Sequence, residues 1–262
     1  MASPTLSALK TNPKFIFFSD FDGTITERDS NDYLIDNIGF GQKLRKQGNQ
    51  DVLNGRTTFR ESLRVMMDSI KTPYDECINL LLANTKLDPY FIEFYEYCSE
   101  QNIPIVILSG GMEPIIRAIL QKFLGDYPKN IEIVSNNVAS RDGKCINEEG
   151  GWRVVFHDES HFGHDKSLEI RPYASLPSDQ RPTLFYAGDG VSDLSAAKET
   201  DLLFAKQGHD LITYCLKEKV PFIPFEDWST ILSTVKSIVS GKTSVAEIST
   251  ASAAASKQTT MN

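Results

Sequence analysis

Asp20 and Asp22 are the first residues in this sequence whose type and spacing suggest chemistry. They follow an apolar run within the stretch KFIFFSDFDGTIT, which extends from Lys14 to Thr26. Carboxylates at the end of such a run are costly to bury unless they meet a cation or hydrogen-bond donors. The two aspartates therefore either begin an ordinary turn or belong to a site.

Three other polar stretches follow apolar or loop segments, and together with the first they assemble a set of carboxylates. They read SGG (109–111), GHDKS (163–167) and GDGVSD (188–193). Four carboxylates in one pocket repel each other and any anionic substrate, and a hard divalent cation removes that repulsion. Oxygen ligands without His or Cys favour Mg²⁺. We therefore predict a magnesium site with the candidate ligands Asp20, Asp22, Asp189 and Asp193.

The four histidines (157, 161, 164 and 209) raise the possibility of zinc instead. The segment HDESHFGH, however, lacks the cysteines or the glutamate spacing of a zinc site. The sequence alone therefore favours magnesium.

With a cation in place, the two neighbouring aspartates suit phosphoryl transfer. The Asp20 carboxylate can attack phosphorus and form an aspartyl-phosphate, which divides hydrolysis into two easier steps. Asp22 points to the same side in an extended chain, so it can protonate the leaving alcohol and later deprotonate water. Lys166 offers a compact positive charge to the phosphoryl oxygens.

Ser109, Gly110 and Gly111 form the candidate phosphate-binding loop. They precede Met112, Glu113 and Pro114, and proline suits the first turn of a helix. Free N–H groups at a helix N-terminus attract anions. We therefore expect substrate contacts from Ser109, Gly110 and Gly111.

The elements that must position these residues are apolar strands that alternate with helical segments. Strand-like runs are FIFFS, IPIVILSGG, IEIVSNN, PTLFYAGDG and DLLFA, with helical patterns between them. Near-continuous apolar strands alternating with helices predict an α/β, Rossmann-like core with a mainly parallel sheet. In such sheets the ligand lies beyond the carboxyl ends of the strands, where the polar loops fall.

One long interruption predicts an inserted helical cap domain. Residues 29–85 show no strand signal, whereas Phe59, Leu63, Met66, Met67 and Ile70 recur at helical spacing. We assign 14–28 plus 86–243 to the catalytic core and 29–85 to the cap. A small β-hairpin is expected with its turn around 148–151, and flexible termini at 1–13 and 244–262.

Composition excludes several function classes. The chain has 262 residues, 40% of them hydrophobic, and a net charge of −8, which disfavours nonspecific binding to nucleic acid or anionic membranes. No apolar run approaches the roughly 20 residues of a membrane helix. The N-terminus lacks a signal or transit pattern, and the four cysteines are widely spaced, so we expect a cytoplasmic protein with reduced thiols. We expect a monomer or small homo-oligomer.

In order along the chain, DFDGT, SGG, the lysine of GHDKS and GDGVSD resemble the four motifs of the haloacid dehalogenase superfamily. The helical insertion after the first motif is similar to the cap of its phosphoserine phosphatase-like branch. The resemblance implies that Asp20 is the nucleophile and Asp22 the general acid and base. It also implies that Asp20, the Asp22 carbonyl and Asp189 hold Mg²⁺, supported or joined by Asp193. Ser109 and Lys166 would bind the phosphoryl group.

The segments ERDSNDYL, GHDKS and GDGVSDLSAAKE most resemble a fungal group within that branch. Phosphatases of that group are associated with small linear polyol phosphates, such as D-ribitol 5-phosphate, sorbitol 6-phosphate and glycerol phosphate. The resemblance therefore implies a Mg²⁺-dependent phosphomonoesterase of this substrate class. A phosphoserine or phosphosugar phosphatase, a phosphotransferase or mutase with the same intermediate, and a non-catalytic binding protein remain as alternatives.

Four residues of the predicted cap are candidates for contact with the substrate. Asp29 and Asn31 suit the hydroxyl groups of a polyol, although helix capping by Ser30 or Asn31 is an equal alternative. Arg60 and Arg64 lie four residues apart and could enter the pocket, or could be surface charges with Arg64 paired to Asp68. Met66 occupies the position at which phosphoserine phosphatases are expected to carry a cap arginine, which argues against phosphoserine.

Overall fold

The computed structural model describes residues 6–125 and 128–250. Within them the strands that build the sheet are β1 (Phe15–Ser19), β2 (Ile105–Met112), β3 (Ile131–Ser140), β4 (Trp152–Val155), β5 (Thr183–Gly188), β6 (Leu202–Lys206) and β7 (Ile223–Phe225). The five strand-like runs of the sequence correspond to β1, β2, β3, β5 and β6. The three-residue β7 was not predicted, because it is short and carries a proline.

Helices occupy both faces of the sheet and the segment between β1 and β2. They are α1 (Ser30–Ile38), α2 (Gln42–Leu53), α3 (Phe59–Asp68), α4 (Tyr74–Asn84), α5 (Phe91–Glu100), α6 (Glu113–Leu124), α7 (Lys166–Ala174), α8 (Asp193–Ala197), α9 (Asp210–Glu218) and α10 (Trp228–Val239). Across the described residues, the search for a helix of sufficient length and apolar character to span a bilayer found none.

The sheet is parallel except at one edge, and its strand order is β4-β3-β2-β1-β5-β6-β7. Among the described strands, only β3 and β4 pair antiparallel. This confirms the predicted α/β fold with a mainly parallel sheet. The order reverses direction at β1, whose neighbours are β2 and β5. Such a reversal opens a crevice beyond the carboxyl ends of the strands, where ligands bind.

β1 lies in the middle of the sheet because alternate side chains pack into cores on both faces. Phe17 faces one core, with its ring centroid 4.7 Å from Phe94 and 5.6 Å from Trp228. Ile16 and Phe18 face the other. Burial on both faces explains the near-continuous apolar run. It also holds the residues that follow β1 in a fixed position.

Helices α1 to α4 lie within 29–85, the segment assigned to the cap. The chain entering and leaving this segment pairs with itself: Thr26 forms an antiparallel bridge with Leu87, and the Glu27 N–H donates to the Lys86 carbonyl at 3.0 Å. The Asp88 N–H donates to the Ile25 carbonyl at 2.8 Å. The insertion is therefore joined to the sheet edge by two adjacent linkers.

The hairpin and the termini differ in detail from the expectation. β3 and β4 form the hairpin, but its connection is longer than expected and spans 141–151. Part of the supposedly flexible arm is packed, with Ala8 buried and a 3₁₀ helix at Ser7–Leu9. Residues 245–250 are helical, and Val245 and Ile248 contact the core. Residues 1–5 and 251–262 of the two predicted flexible ends lie outside the described part.

Candidate active site

Three neighbouring strand ends bring the predicted motifs together. Asp20 directly follows β1, Ser109 lies near the end of β2, and Asp189 directly follows β5. The parallel register places Ser19 opposite both Ile107 and Ala187, so all three ends lie at the same edge. The first, second and fourth motifs therefore lie together at this edge of the sheet.

The Asp20 carboxylate is buried and contacts Lys166. Its Oδ1 accepts the Phe21 N–H at 2.7 Å and lies 2.9 Å from Lys166 Nζ. Burial raises the pKa of Asp20 well above its ordinary value; Lys166 opposes this shift, while Asp193 and Asp189 add to it. Burial disfavours the charge of Lys166, but its two ion pairs outweigh that effect and raise its pKa. A cationic lysine therefore stands beside the predicted nucleophile.

Asp193 is fully buried, and both oxygens of its carboxylate accept hydrogen bonds from neighbouring groups of the protein. Its Oδ1 accepts from Lys166 Nζ at 2.6 Å and from the Tyr186 hydroxyl at 2.5 Å. Its Oδ2 accepts the N–H groups of Asp189 and Gly190, each at 2.9 Å. Both oxygens are thus engaged. Of the two roles expected for Asp193, this arrangement suits support of Lys166 and the Asp189 loop rather than direct ligation of a cation.

The N-terminus of α1 holds the Asp22 carboxyl group. Oδ1 accepts the Ser30 N–H at 2.8 Å, and Oδ2 accepts from the Asn31 amide at 3.2 Å. Burial, followed by the charge of Asp29, raises the pKa of Asp22 to about 8. A carboxyl group with this pKa carries a proton at neutral pH, which a general acid requires.

The predicted phosphate-binding loop is held by two side chains that the sequence did not suggest. The Ser109 hydroxyl accepts the Gly111 N–H at 2.9 Å, and the Ser109 carbonyl lies 3.0 Å from His164 Nδ1. Asn136, which is fully buried, donates to the Gly110 carbonyl at 2.7 Å. Ser109, Gly110 and Gly111 all line the cavity described below. No short motif marked Asn136, because it lies within the strand β3.

The carboxylates at the strand ends fit a hard divalent cation. One oxygen from each of Asp20, Asp189 and Asp193 lies within 4.8 Å of the others. The donors are all oxygen atoms, and the pKa of Asp20 is raised first by burial and further by repulsion from Asp193 and Asp189. A cation removes this repulsion, and an all-oxygen donor set suits Mg²⁺.

Gly23 allows Asp189 to approach the first motif. Its φ is +76°, a conformation that favours glycine, and a Cβ there would lie 2.4 Å from Oδ2 of Asp189. The glycine of DFDGT therefore serves both the turn and the close approach of the two carboxylate-bearing loops.

A cavity of about 550 Å³ extends from Asp20 and Asp22 to helices α1, α2 and α3. At its far end, against these helices, the polar lining residues are Asp32 of α1, Asn49 of α2 and Ser62 of α3. Further polar lining comes from Asp29, Asn31, Asp210 and Tyr214. Apolar lining is contributed by Ile35, Val52, Leu53, Phe59, Leu63, Met66, Phe162 and Val191. Among the described residues that line it, every charged side chain is an aspartate.

Asp29 and Asn31 both line the cavity, and both also stabilise local structure. The Asp29 Oδ1 caps α1 by accepting the Asp32 N–H at 2.8 Å. The helix cap is therefore Asp29, not Ser30 or Asn31. Burial raises the pKa of Asp29, and burial together with Asp29 raises that of Asp32 to about 7.

Arg60 and Arg64 do not line the cavity; the structure turns them away from it. The α3 residues that line it, Phe59, Ser62, Leu63 and Met66, follow helical spacing, and the two arginines lie on another face. Arg60 pairs with Glu159 at 2.7 Å and stacks over the Phe156 ring. Arg64 pairs with Glu61 at 2.6 Å and lies 4.0 Å from Asp68. Helix geometry thus corrects the candidate substrate contacts.

Arg45 was not predicted from the sequence as a site residue, although it pairs with two aspartates at the far end of the cavity. Its guanidinium lies 2.5 Å from Asp32 and 2.7 Å from Asp36. Its side chain is 10% exposed. Asp32 and Asp36 are four residues apart on α1 and share a face, and the packing of α2 against α1 brings Arg45 to them.

The comparisons with known proteins agree with this geometry. Residues 17–198 match the model of the family described as haloacid dehalogenase-like hydrolase. The chain is 54% identical to Pdp3-interacting factor 1 of Schizosaccharomyces pombe over 82% of this chain and 91% of that protein. It is 44% identical to polyol phosphate phosphatase PYP1 of Saccharomyces cerevisiae over 90% of this chain and 98% of that protein.

A solved structure of phosphoserine phosphatase with an analogue of its phospho-aspartyl intermediate has the same fold. It aligns with a TM-score of 0.61 and 21% identity, over 85% of this chain and 98% of that one. The four motifs, their positions at one sheet edge and the family match agree. The chain belongs to the haloacid dehalogenase-like hydrolase family.

Proposed function

We propose that this hydrolase of phosphate monoesters acts on linear polyol phosphates, such as D-ribitol 5-phosphate, with Mg²⁺ and an aspartyl-phosphate intermediate. The observation that carries the proposal is the cavity: it joins the Asp20–Asp22 pair to a far end where Asp32, Asn49 and Ser62 offer a carboxylate, an amide and a hydroxyl. The similarity to polyol phosphate phosphatase PYP1 over most of both chains supports it.

The far end of the cavity suits the hydroxyl groups of a polyol. Each hydroxyl both donates and accepts a hydrogen bond, so it can pair with aspartate oxygens, amide groups and a phenol. Asp32, Asn49, Ser62 and Tyr214 offer these groups along the cavity. A small metabolite with several hydroxyls and no second anion matches this lining.

Among the described residues, a second anionic group would find no lysine or arginine side chain in the cavity lining, and the guanidinium of Arg45 behind Asp32 is already paired with Asp32 and Asp36. The carboxylate of phosphoserine would therefore face aspartates. This argues against a phosphoserine phosphatase. It agrees with the presence of Met66 where phosphoserine phosphatases are expected to carry a cap arginine.

Asp20 and Asp189, with the backbone carbonyl of Asp22, would hold Mg²⁺, and Asp193 would position Asp189 and Lys166. The ion would stabilise negative charge on the transferred phosphoryl group. Lys166, Ser109 and the loop N–H groups would bind the phosphoryl oxygens.

Asp20 attacks phosphorus, and the bond from phosphorus to the polyol oxygen breaks. Asp22 gives its proton to that leaving oxygen, so the alcohol departs neutral. Water then attacks the aspartyl-phosphate while Asp22, now ionised, takes one proton from it. The bond from Asp20 to phosphorus breaks, and inorganic phosphate and the free carboxylate result.

Residues 29–85 would act as a mobile cap over the core formed by 14–28 and 86–243. The paired linkers at Thr26–Leu87 would provide the hinge. Closure would exclude bulk water. The contacts of Ser30 and Asn31 with Asp22 would belong to the closed position and would be lost on opening. We further propose that the protein is cytoplasmic and is a monomer or small homo-oligomer. It would have no nucleic-acid or membrane partner.

The test is phosphate release from a panel of phosphomonoesters, with Mg²⁺ and with EDTA. The panel contains ribitol 5-phosphate, sorbitol 6-phosphate, glycerol 3-phosphate, phosphoserine and ribose 5-phosphate. We expect Mg²⁺-dependent release that favours the linear polyols and is abolished in Asp20→Asn, while the exposed control Asp179→Asn keeps wild-type activity.

The alternatives give different outcomes. Preference for phosphoserine or ribose 5-phosphate would retain the mechanism and reject the polyol assignment. Alcohol formed without equal inorganic phosphate would indicate a phosphotransferase or mutase. No turnover of any ester would favour a binding protein.

A further inference from the structure

His157, His164 and Glu169 form a cluster outside the magnesium site. One ligand atom from each lies within 4.8 Å of the others. His157 Nε2 is 2.9 Å from Oε1 of Glu169, and the two imidazole rings are 4.5 Å apart between centroids. The three residues come from the end of the hairpin, the loop after it and the first half of α7. None of them lines the substrate cavity.

One imidazole nitrogen of this cluster is buried without a partner. His164 is 3% exposed, and its Nε2 has no hydrogen-bond partner within residues 6–125 and 128–250. Its Nδ1 lies 3.0 Å from the Ser109 carbonyl. Because a carbonyl only accepts, Nδ1 carries the proton and Nε2 has a free lone pair. An imidazole whose other nitrogen donates to a backbone carbonyl is the usual state of a metal-ligating histidine.

The loop between the two histidines is held in a closed form. The Asp158 N–H donates to the Gly163 carbonyl at 2.9 Å, and Asp158 Oδ2 accepts the Asp165 N–H at 2.7 Å. Gly163 has a φ of +75°, and a Cβ there would overlap the Phe156 ring. The two imidazoles are therefore brought together before any ion binds.

We propose that His157, His164 and Glu169 form a second cation site, which takes Zn²⁺ or a similar borderline metal rather than Mg²⁺. Two imidazoles and a carboxylate are a ligand set that zinc accepts in tetrahedral geometry, with water as the fourth ligand. The side chains of His157 and Glu169 are 32% and 34% exposed, so an ion and its water can enter.

The site connects to the phosphate-binding loop through two contacts. His164 Nδ1 donates to the Ser109 carbonyl. The backbone N–H of His157 donates at 2.9 Å to Oδ1 of Asn136, whose amide in turn donates to the Gly110 carbonyl. A bound ion would fix His157 and His164 in place and so stabilise the conformation of the phosphate-binding loop. The ion would also replace the direct contact between His157 Nε2 and Glu169 Oε1. The inference does not depend on which phosphate ester the enzyme hydrolyses.

The experiment is a titration of the chelator-treated full-length protein with Zn²⁺ in excess Mg²⁺, in competition with a chromophoric chelator. We expect one tightly bound Zn²⁺ per chain and a higher melting temperature. Glu169→Gln and His157→Ala should each weaken binding by about 100-fold or more, since even the loss of an outer partner costs about 10–100-fold. Co²⁺ should give the visible bands of a four-coordinate ion.

Two matched variants distinguish zinc bound at this cluster from zinc bound elsewhere on the loop or at the magnesium site. His161→Ala removes an exposed histidine of the same loop and should bind Zn²⁺ as the wild type does. Asp189→Asn removes a predicted magnesium ligand and should also retain zinc. Loss of zinc in Asp189→Asn, equal affinity in the wild type and both cluster variants, or no zinc bound in excess Mg²⁺ would each overturn the proposal.

Discussion

The side-chain amide of Asn31 lies 3.2 Å from Oδ2 of Asp22, and the two residues belong to different parts of the fold. Asp22 follows the central strand β1, whereas Asn31 lies in the first turn of the inserted helix α1. The proposed acid is thus held by the segment that would move during closure. Cap position and orientation of the acid are coupled through this contact.

We expect Asn31→Ala to lower kcat more than it raises KM. One hydrogen bond to a carboxyl group contributes about 0.5–1.5 kcal/mol, so kcat should fall by up to about 10-fold. Asn37→Ala is the matched control, because Asn37 lies on α1 and donates only to the Tyr33 carbonyl among the described residues. Steady-state kinetics with the best polyol ester measure the difference. An equal effect of both substitutions would contradict a specific role.

Gly23→Ala should impair the proposed magnesium site beyond its effect on the backbone. The new Cβ would meet the Asp189 carboxylate at 2.4 Å, and φ at this position is +76°. Gly143 has the same φ and no atom within 4 Å of a built Cβ, so Gly143→Ala isolates the backbone strain. Both variants should lose about 1 kcal/mol or more of stability.

Only Gly23→Ala should need a higher Mg²⁺ concentration for half-maximal activity. Activity measured against Mg²⁺ concentration, together with urea unfolding, separates the two effects. Unchanged magnesium dependence in Gly23→Ala would show that Asp189 can move without loss of the site.

The cation-free protein should become less stable as pH rises from about 4 to about 8. Burial raises the pKa of Asp22 to about 8 and that of Asp32 to about 7, both from 3.8. The folded state therefore holds protons that the unfolded chain has released, so the free energy of unfolding falls with pH, by at most roughly 1.4 kcal/mol per unit for each group.

Urea unfolding in EDTA at several pH values tests this slope, and Asp22→Asn should reduce it. Mg²⁺ should stabilise the protein more near pH 8 than near pH 5, because a cation favours ionised ligands. A free energy of unfolding that rises over this range would show that the carboxyl groups ionise easily in the fold.

Arg45→Ala should weaken substrate binding, whereas Arg64→Ala should not. The Arg45 side chain is 10% exposed and pairs with Asp32, which lines the cavity. Its removal leaves a half-buried carboxylate unpaired, and we expect KM to rise by about 10-fold, with lower stability. Arg64 is 51% exposed and pairs with Glu61, so its loss should change stability by less than about 1 kcal/mol. A raised KM in Arg64→Ala would contradict the orientation of α3.

The sequence by itself determined the sheet and the catalytic motifs of this protein. β1, β2 and β5 are buried on both faces, so their apolar runs stand out, and the residues after them must lie at one edge of a parallel sheet. Local spacing therefore sufficed to place Asp20, Ser109 and Asp189 together. The family match over 17–198 agrees with that interpretation.

Only the tertiary structure decided which side chains of the inserted helices enter the cavity. Arg60 and Arg64 share a face of α3, but the packing of α3 selects the face of Phe59 and Leu63 instead. Arg45 of α2 pairs with Asp32 of α1, and Glu169 of α7 contacts His157 of the loop after β4. Such contacts depend on packing angles between elements and leave no periodic pattern along the chain.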